Sequence, residues 1–135
     1  MSNRFVGSGN LGDAPSLKRV RVGDEQRPVL ELSIYFDRRV PTGDGAFAEK
    51  GGFWLNANLW GKRAELAAPL LAKGARVRAE GELELETWDD DGDQRTAFKL
   101  NLDSLTIDPL RVQEISYKES RGKGGDEDSA ASGST

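Results

Sequence analysis

The stretch Phe53-Trp54-Leu55-Asn56-Ala57-Asn58-Leu59-Trp60 constrains the fold more than any other, because its side chains sort at every second position, the period of a strand and not of a helix. Phe53, Leu55, Ala57 and Leu59 go to one face and read as core. The other face carries Trp54, Asn56, Asn58 and Trp60, two large aromatics and two amides where a half-buried strand usually places charges or threonines. Six residues at about 3.3 Å each set the two indoles roughly 20 Å apart. Flat rings along an open sheet face suit a single-stranded nucleic acid, since every base has a π-face and stacking contributes roughly 1 to 3 kcal/mol per base. The competing reading is that both tryptophans pack under loops or in a subunit contact, and this strand alone does not separate the two.

Composition removes several classes of function. With 135 residues and 36% apolar content, one modest core and one domain are expected. Cysteine and histidine are both absent, which excludes thiol nucleophiles, imidazole bases, disulfides and zinc sites built on those ligands. No apolar run approaches the roughly 20 residues of a membrane span, and Met-Ser-Asn-Arg-Phe lacks the apolar stretch of a signal peptide; a cytoplasmic protein is expected. The net charge of -4, from 19 Lys plus Arg and 23 Asp plus Glu, opposes nucleic-acid binding, which usually shows a basic surplus.

Along the chain, Leu17 to Val22 alternates and reads as a strand, followed by a polar turn through Pro28. Val29 to Asp37 alternates again, with Leu30, Leu32, Ile34 and Phe36 on one face and Val29, Glu31, Ser33 and Tyr35 on the other, so Tyr35 is a further outward aromatic. Residues 38 to 52 hold five glycines and prolines with Arg38, Arg39, Phe47 and Lys50; they predict a long loop able to close over a ligand. Lys62 to Lys73 switches to helical spacing through Leu66, Leu70 and Leu71, with a break at Pro69 and a C-terminal cap at Gly74. Arg76 to Trp88 and Thr96 to Ile107 then form a hairpin around Asp89 to Asp93. In it Val77, Ala79, Gly81, Leu83, Leu85, Phe98, Leu100 and Leu102 face inward, and Trp88 faces outward. After Pro109 the sequence turns polar and rich in glycine and serine, and from about Lys118 it predicts disorder.

This order predicts an all-β fold: a five-stranded oligonucleotide/oligosaccharide-binding (OB-fold) Greek-key barrel with one short helix between strands 3 and 4. It occupies residues 1–110, and residues 111–135 form a flexible tail. Local sequence adds to the order: Gly9-Asn10-Leu11-Gly12-Asp13-Ala14-Pro15, Trp60-Gly61-Lys62-Arg63-Ala64-Glu65, and Leu71 to Val77 leading into Glu80-Gly81 and Trp88. Together, over roughly residues 3 to 108, these segments resemble the bacterial single-stranded DNA-binding (SSB) protein family. Tyr35-Phe36-Asp37 and Gly51-Gly52-Phe53-Trp54 look closest to its divergent members on integrative mobile elements.

The resemblance implies a domain without catalysis or cofactor that assembles into a homo-oligomer, a dimer or tetramer. Such a domain wraps single-stranded DNA over aromatic platforms and works with replication, recombination and repair proteins. Trp54, Trp60 and Trp88 fall at the family's stacking positions. The family's remaining stacking tryptophan has no equivalent in Arg38-Arg39-Val40, and Tyr35 and Phe47 are the candidates for its role. The family's basic hairpin is here Glu82, Glu84 and Glu86. Residues 1–110 hold 15 Lys plus Arg against 18 Asp plus Glu, so the acidity lies mainly in the domain. A DNA backbone is therefore expected to follow Arg19, Arg21, Arg38, Arg39, Lys50, Lys62, Arg63, Arg76 and Arg78, with Asn56 and Asn58 between the indoles. The family's acidic tail with an apolar tip is matched here only by Asp126-Glu127-Asp128 without such a tip, and a solvated linker is expected.

Three other motifs carry little. Gly7-Ser8-Gly9-Asn10-Leu11-Gly12 matches a dinucleotide-binding glycine pattern, but Asp13-Ala14-Pro15 follows where a helix should open, so the glycines read as strand-end bends. A calcium loop with its glycine at Gly92 would need ligands from Thr87 and Phe98, so Asp89 to Asp93 reads as an acidic turn and no metal is expected. The row Glu80 to Glu86 reads as a solvated edge or subunit contact before it reads as an acid/base pair. Two functions remain: a single-stranded DNA-binding module acting by stacking, and an oligomeric adaptor of the same fold whose acidic hairpin binds a basic protein partner.

Overall fold

A computed structural model describes residues 3–119, the side chain of Arg39 excepted; the acidic segment 126–128 lies outside the described residues. The elements run β1 (Arg4–Leu11), β2 (Ser16–Val22), β3 (Glu25–Phe36), β4 (Arg39–Pro41), β5 (Phe47–Glu49), β6 (Phe53–Trp60), α1 (Lys62–Ala67), β7 (Arg76–Asp90) and β8 (Asp93–Ile107). Five of them close a barrel in the order β1-β7-β8-β6-β3, with β3 returning to β1, while β2 extends the sheet beside β3. All neighbours are antiparallel except β6 and β8, which run parallel.

The barrel has the predicted number of strands but a different membership. Arg4–Leu11, whose glycines in the Gly7–Gly12 motif read as strand-end bends, is a full strand, and Gly9 is where the barrel closes: it stands opposite both Val77 of β7 and Phe36 of β3. A Cβ built on Gly9 would collide with the carbonyl of Tyr35, so only glycine allows this approach. The alternating segment Leu17–Val22 is instead the added strand β2, exposed along its whole length. The predicted loop 38–52 contains the small hairpin β4–β5.

The core follows the two-residue period: Leu30, Leu32, Ile34 and Phe36 of β3, Leu55, Ala57 and Leu59 of β6, Val77 and Ala79 of β7, and Leu100 and Leu102 of β8 are buried, with Ala64 of α1 and Leu71 closing one end. Val29 falls on the outer face by its alternation and stands between Lys18 and Trp60, yet it is buried. Phe53, a core residue by its alternation, is 46% exposed. Its ring is tilted against Phe36 and edge-on to Phe5, with centroids 5.9 Å and 6.1 Å away.

The helix breaks as Pro69 requires, α1 giving way to a single 3-10 turn at Ala68–Leu70. Gly74 therefore caps no helix; it turns the chain into β7 while its N–H donates to the Leu11 carbonyl at 2.9 Å. The hairpin turns at Asp91 and Gly92, both with positive φ (56° and 89°), the backbone of a tight two-residue connection. Its distal half departs from expectation. Leu85 and Phe98 keep inward parity and stand opposite each other, yet they are 59% and 55% exposed.

Candidate nucleic-acid interface

The outer surface of the β3–β6 pair is set by its register, which opposes Trp54 to Tyr35, Asn56 to Ser33, Asn58 to Glu31 and Trp60 to Val29. The parallel partner β8 sets Lys99 beside Asn56 and Asn101 beside Asn58. On the far side, β2 adds Ser16 beside Glu31 and Lys18 beside Val29. The two amides predicted to lie between the indoles do lie there. Between Trp54 and Trp60 the surface dips into a groove of about 420 Å³ whose walls include Glu31, Ser33, Asn56, Asn58, Glu86 and Lys99.

Trp54 and Trp60 are 57% and 40% exposed. Trp54 is held in place from below: a Cβ on Gly12 would come within 2.7 Å of its ring, so the indole lies across that glycine. Its ring centroid is 5.2 Å from that of Tyr35, at a tilt of 56°. The Tyr35 hydroxyl donates to Glu49 of β5, tying the small β4–β5 hairpin to the aromatic pair. That bond to Glu49, reinforced by desolvation and by the negative charge of Glu49, raises the Tyr35 phenol above its ordinary pKa. Trp88 stands apart, 45% exposed on the distal hairpin and opposite Arg95.

The predicted basic residues separate into two groups. Arg76 is the least available: its guanidinium, 15% exposed, meets Asp37 at 3.2 Å, Asp108 at 3.7 Å and the Asn10 side chain at 2.7 Å. This network joins β1, β7 and the end of β3, where a buried cation needs such partners. Arg19 has the opposite parity to Lys18 and pairs with Glu65 of α1 at 3.0 Å, away from the indoles, and Arg21 shares that parity. Arg63 donates to the Asp103 carbonyl beneath the helix, and Arg78 pairs with Glu80 at 2.8 Å. Arg38, Lys50 and Lys62 remain, exposed and without an ion pair among the described residues, the first two flanking the Trp54 end in sequence and the third following Trp60. The backbone of Arg39 lies in β4; its side chain is outside the description.

Two cations on this face escaped the sequence reading. Lys18 reaches Glu31 at 2.9 Å and Lys99 reaches Glu86 at 2.8 Å. Parity could have found both: with Leu17 and Leu100 facing in, Lys18 and Lys99 must face out. The arginines of β2 drew attention by charge, although their parity turns them the other way. Among the described residues no cluster of His, Cys, Asp or Glu is arranged to hold a metal ion, and no helix is long and apolar enough to cross a membrane.

The model of the single-strand binding protein family matches residues 2–108. A single-stranded DNA-binding protein of Wolinella succinogenes is 31% identical over 108 residues, 79% of this chain and 64% of its own length. One from Helicobacter pylori is 31% identical over 114 residues, 84% of this chain and 59% of that protein. The chain thus spans about three-fifths of the length of these curated relatives. Among solved structures, the small single-stranded DNA-binding protein from Streptomyces coelicolor superposes with a TM-score of 0.70 at 19% identity, covering 83% of this chain and 99% of that one. At that identity the likeness shows the OB-fold architecture alone.

Proposed function

Because the chain belongs to the single-strand binding protein family, we propose that it binds single-stranded DNA without catalysis, stacking bases on Trp54 and Trp60 with Tyr35 beside them and Trp88 as an outlying contact. The observation that carries this reading is the pair of exposed indoles on one strand face, spaced by two amides and open to solvent. Stacking on such rings is tolerant of sequence, which suits a protein that coats and protects DNA during replication, recombination, repair or element transfer in the cytoplasm. Residues 1–110 would form the binding domain and act in a dimer or tetramer.

The backbone path is narrower than composition suggests. With Arg19, Arg63, Arg76 and Arg78 engaged by carboxylates or carbonyls, and Lys18 and Lys99 paired with Glu31 and Glu86, the phosphates are left to Arg38, Lys50 and Lys62, with Arg21 at the far edge of β2. Titrating intrinsic tryptophan fluorescence with oligo-dT at several salt concentrations tests both points. The expected result is quenching, with a log–log salt slope of only about -2 to -3, the value for three or four released counterions on a single strand. A slope beyond about -5 would refute the restricted path. A second reading rests on the distal hairpin, whose exposed Leu85 and Phe98 lie among acidic residues and suit a basic protein partner. Absence of quenching at low salt would favour that adaptor role.

A further inference from the structure

The groove between Trp54 and Trp60 has a chemistry that stacking does not use. Glu31 and Glu86 flank the two amides, and Asp13 lies at the same groove. Each glutamate gives one oxygen to a lysine, Glu31 to Lys18 at 2.9 Å and Glu86 to Lys99 at 2.8 Å. Their side chains are 47% and 48% exposed, and neither makes a second ion pair among the described residues. A carboxylate has about four lone-pair sites on its two oxygens, so both can accept further hydrogen bonds from a ligand in the groove.

We propose that this groove is a base-reading subsite that favours bases with an exocyclic amino group, cytosine above thymine; the proposal rests on the stacking function stated above. A strand that lies on both indoles must cross the groove. Asp13, Glu31 and Glu86 outnumber Lys18 and Lys99 at the groove, so its floor keeps a net negative charge that disfavours phosphates; the bases point in and the backbone stays on the rim. Cytosine then offers its N4 amino hydrogens to Glu31 or Glu86, the pairing by which acidic side chains recognise that base. Thymine offers the O4 acceptor at the same place, and its one N–H lies between two carbonyl oxygens that a carboxylate repels. Asn56 and Asn58 can present either a donor or an acceptor, so they hold any base, and the discrimination falls to the two glutamates.

The test uses the full chain and two labelled oligonucleotides of equal length, oligo-dC and oligo-dT, titrated by fluorescence anisotropy at one salt concentration and neutral pH. Oligo-dC is expected to bind at least about three-fold more tightly. In the double variant Glu31→Gln, Glu86→Gln the new amides can donate to thymine O4, and the ratio should fall to about one. Both substitutions are at exposed positions, so the fold should hold. Equal or tighter binding of oligo-dT by the native chain, or a preference that survives the double substitution, overturns base reading while leaving the stacking function standing. If neither oligonucleotide binds even at low salt, both fall together.

Discussion

In the proximal half of the β7–β8 hairpin, Val77, Ala79 and Leu100 are fully buried; in the distal half, Leu85 and Phe98 occupy the same alternating set and stand more than half exposed. The two halves share a pattern and differ in cover. β1 pairs with β7 only as far as Glu82, and β6 pairs with β8 only from Lys99 onward. Beyond those registers the hairpin continues as a bare two-stranded ribbon, an arrangement with little stability of its own. Alternation therefore identifies a face and says nothing about whether another element packs on it. The outer face divides the same way: near the barrel it carries indoles, amides and lysines, and on the ribbon it carries Trp88 among Glu84, Glu86 and Asp90.

The largest expected effect tests this difference in cover. Leu100→Ala should cost about 2 to 5 kcal/mol, the transfer and cavity terms of a fully buried leucine. Phe98→Ala should cost under about 1 kcal/mol, because more than half of the ring is already in water. Urea denaturation with an unchanged slope separates the two cleanly. If Phe98→Ala proves as costly as Leu100→Ala, the ribbon has a cover in solution, such as a second copy of the chain, and the contrast breaks.

A smaller effect should appear in DNA affinity. Trp54→Ala and Trp60→Ala are each expected to weaken binding of a labelled oligonucleotide by about 1 to 3 kcal/mol, the value of one stacked base. Trp88→Ala should cost less than either, because phosphates brought to its ring approach the acids of the ribbon. Neutralising two of those acids, Glu84→Gln with Asp90→Asn, should raise affinity. Anisotropy titration measures all four variants without relying on the tryptophans themselves. Equal losses at the three indoles would mean that DNA uses the ribbon as fully as the barrel face.

These contrasts mark how far the sequence could be read. Period two in Val29 to Asp37 and Phe53 to Trp60 carries the barrel wall and its indoles, because strands covered on one side and open on the other write that asymmetry into every second residue. Pro69 carries the helix break through its missing N–H and fixed ring. The strand Arg4–Leu11 was hidden because Gly7 and Gly9 contribute no side chain to the pattern, and the reason for Gly9 is a neighbour 26 residues away, Tyr35, which only the closed barrel brings near. Charge was the least legible layer. The partner of each arginine is set by tertiary placement, so Arg76 and Arg19 are engaged with Asp37 and Glu65, while Lys18 and Lys99 stand on the face of the indoles. Exposure on the distal ribbon was illegible for a related reason: the end of β1 and the start of the β6 pairing decide it, and neither lies in the ribbon's own residues.

The smallest expected effect sharpens the barrel side of the comparison. The barrel face has a side-chain tie, Tyr35 to Glu49, that joins a stacking ring to the β4–β5 hairpin. Glu49 as acceptor, with desolvation and its charge adding in the same direction, raises the Tyr35 phenol above the ordinary tyrosine value of about 10. The sign follows from proton linkage. The folded chain holds the phenolic proton more tightly than the unfolded chain, so the stabilisation is fully present below about pH 10 and is lost as the pH rises through the folded value. In a Tyr117→Phe background Tyr35 is the sole tyrosine, and its ultraviolet titration should have a midpoint above that of free tyrosine. Glu49→Gln should move the midpoint back toward it, with a parallel change in Trp54 fluorescence because the two rings are neighbours. A midpoint unmoved by Glu49→Gln would show that the tie is not formed in solution, leaving Trp54 seated by Gly12 alone and the barrel face closer in character to the unsupported ribbon.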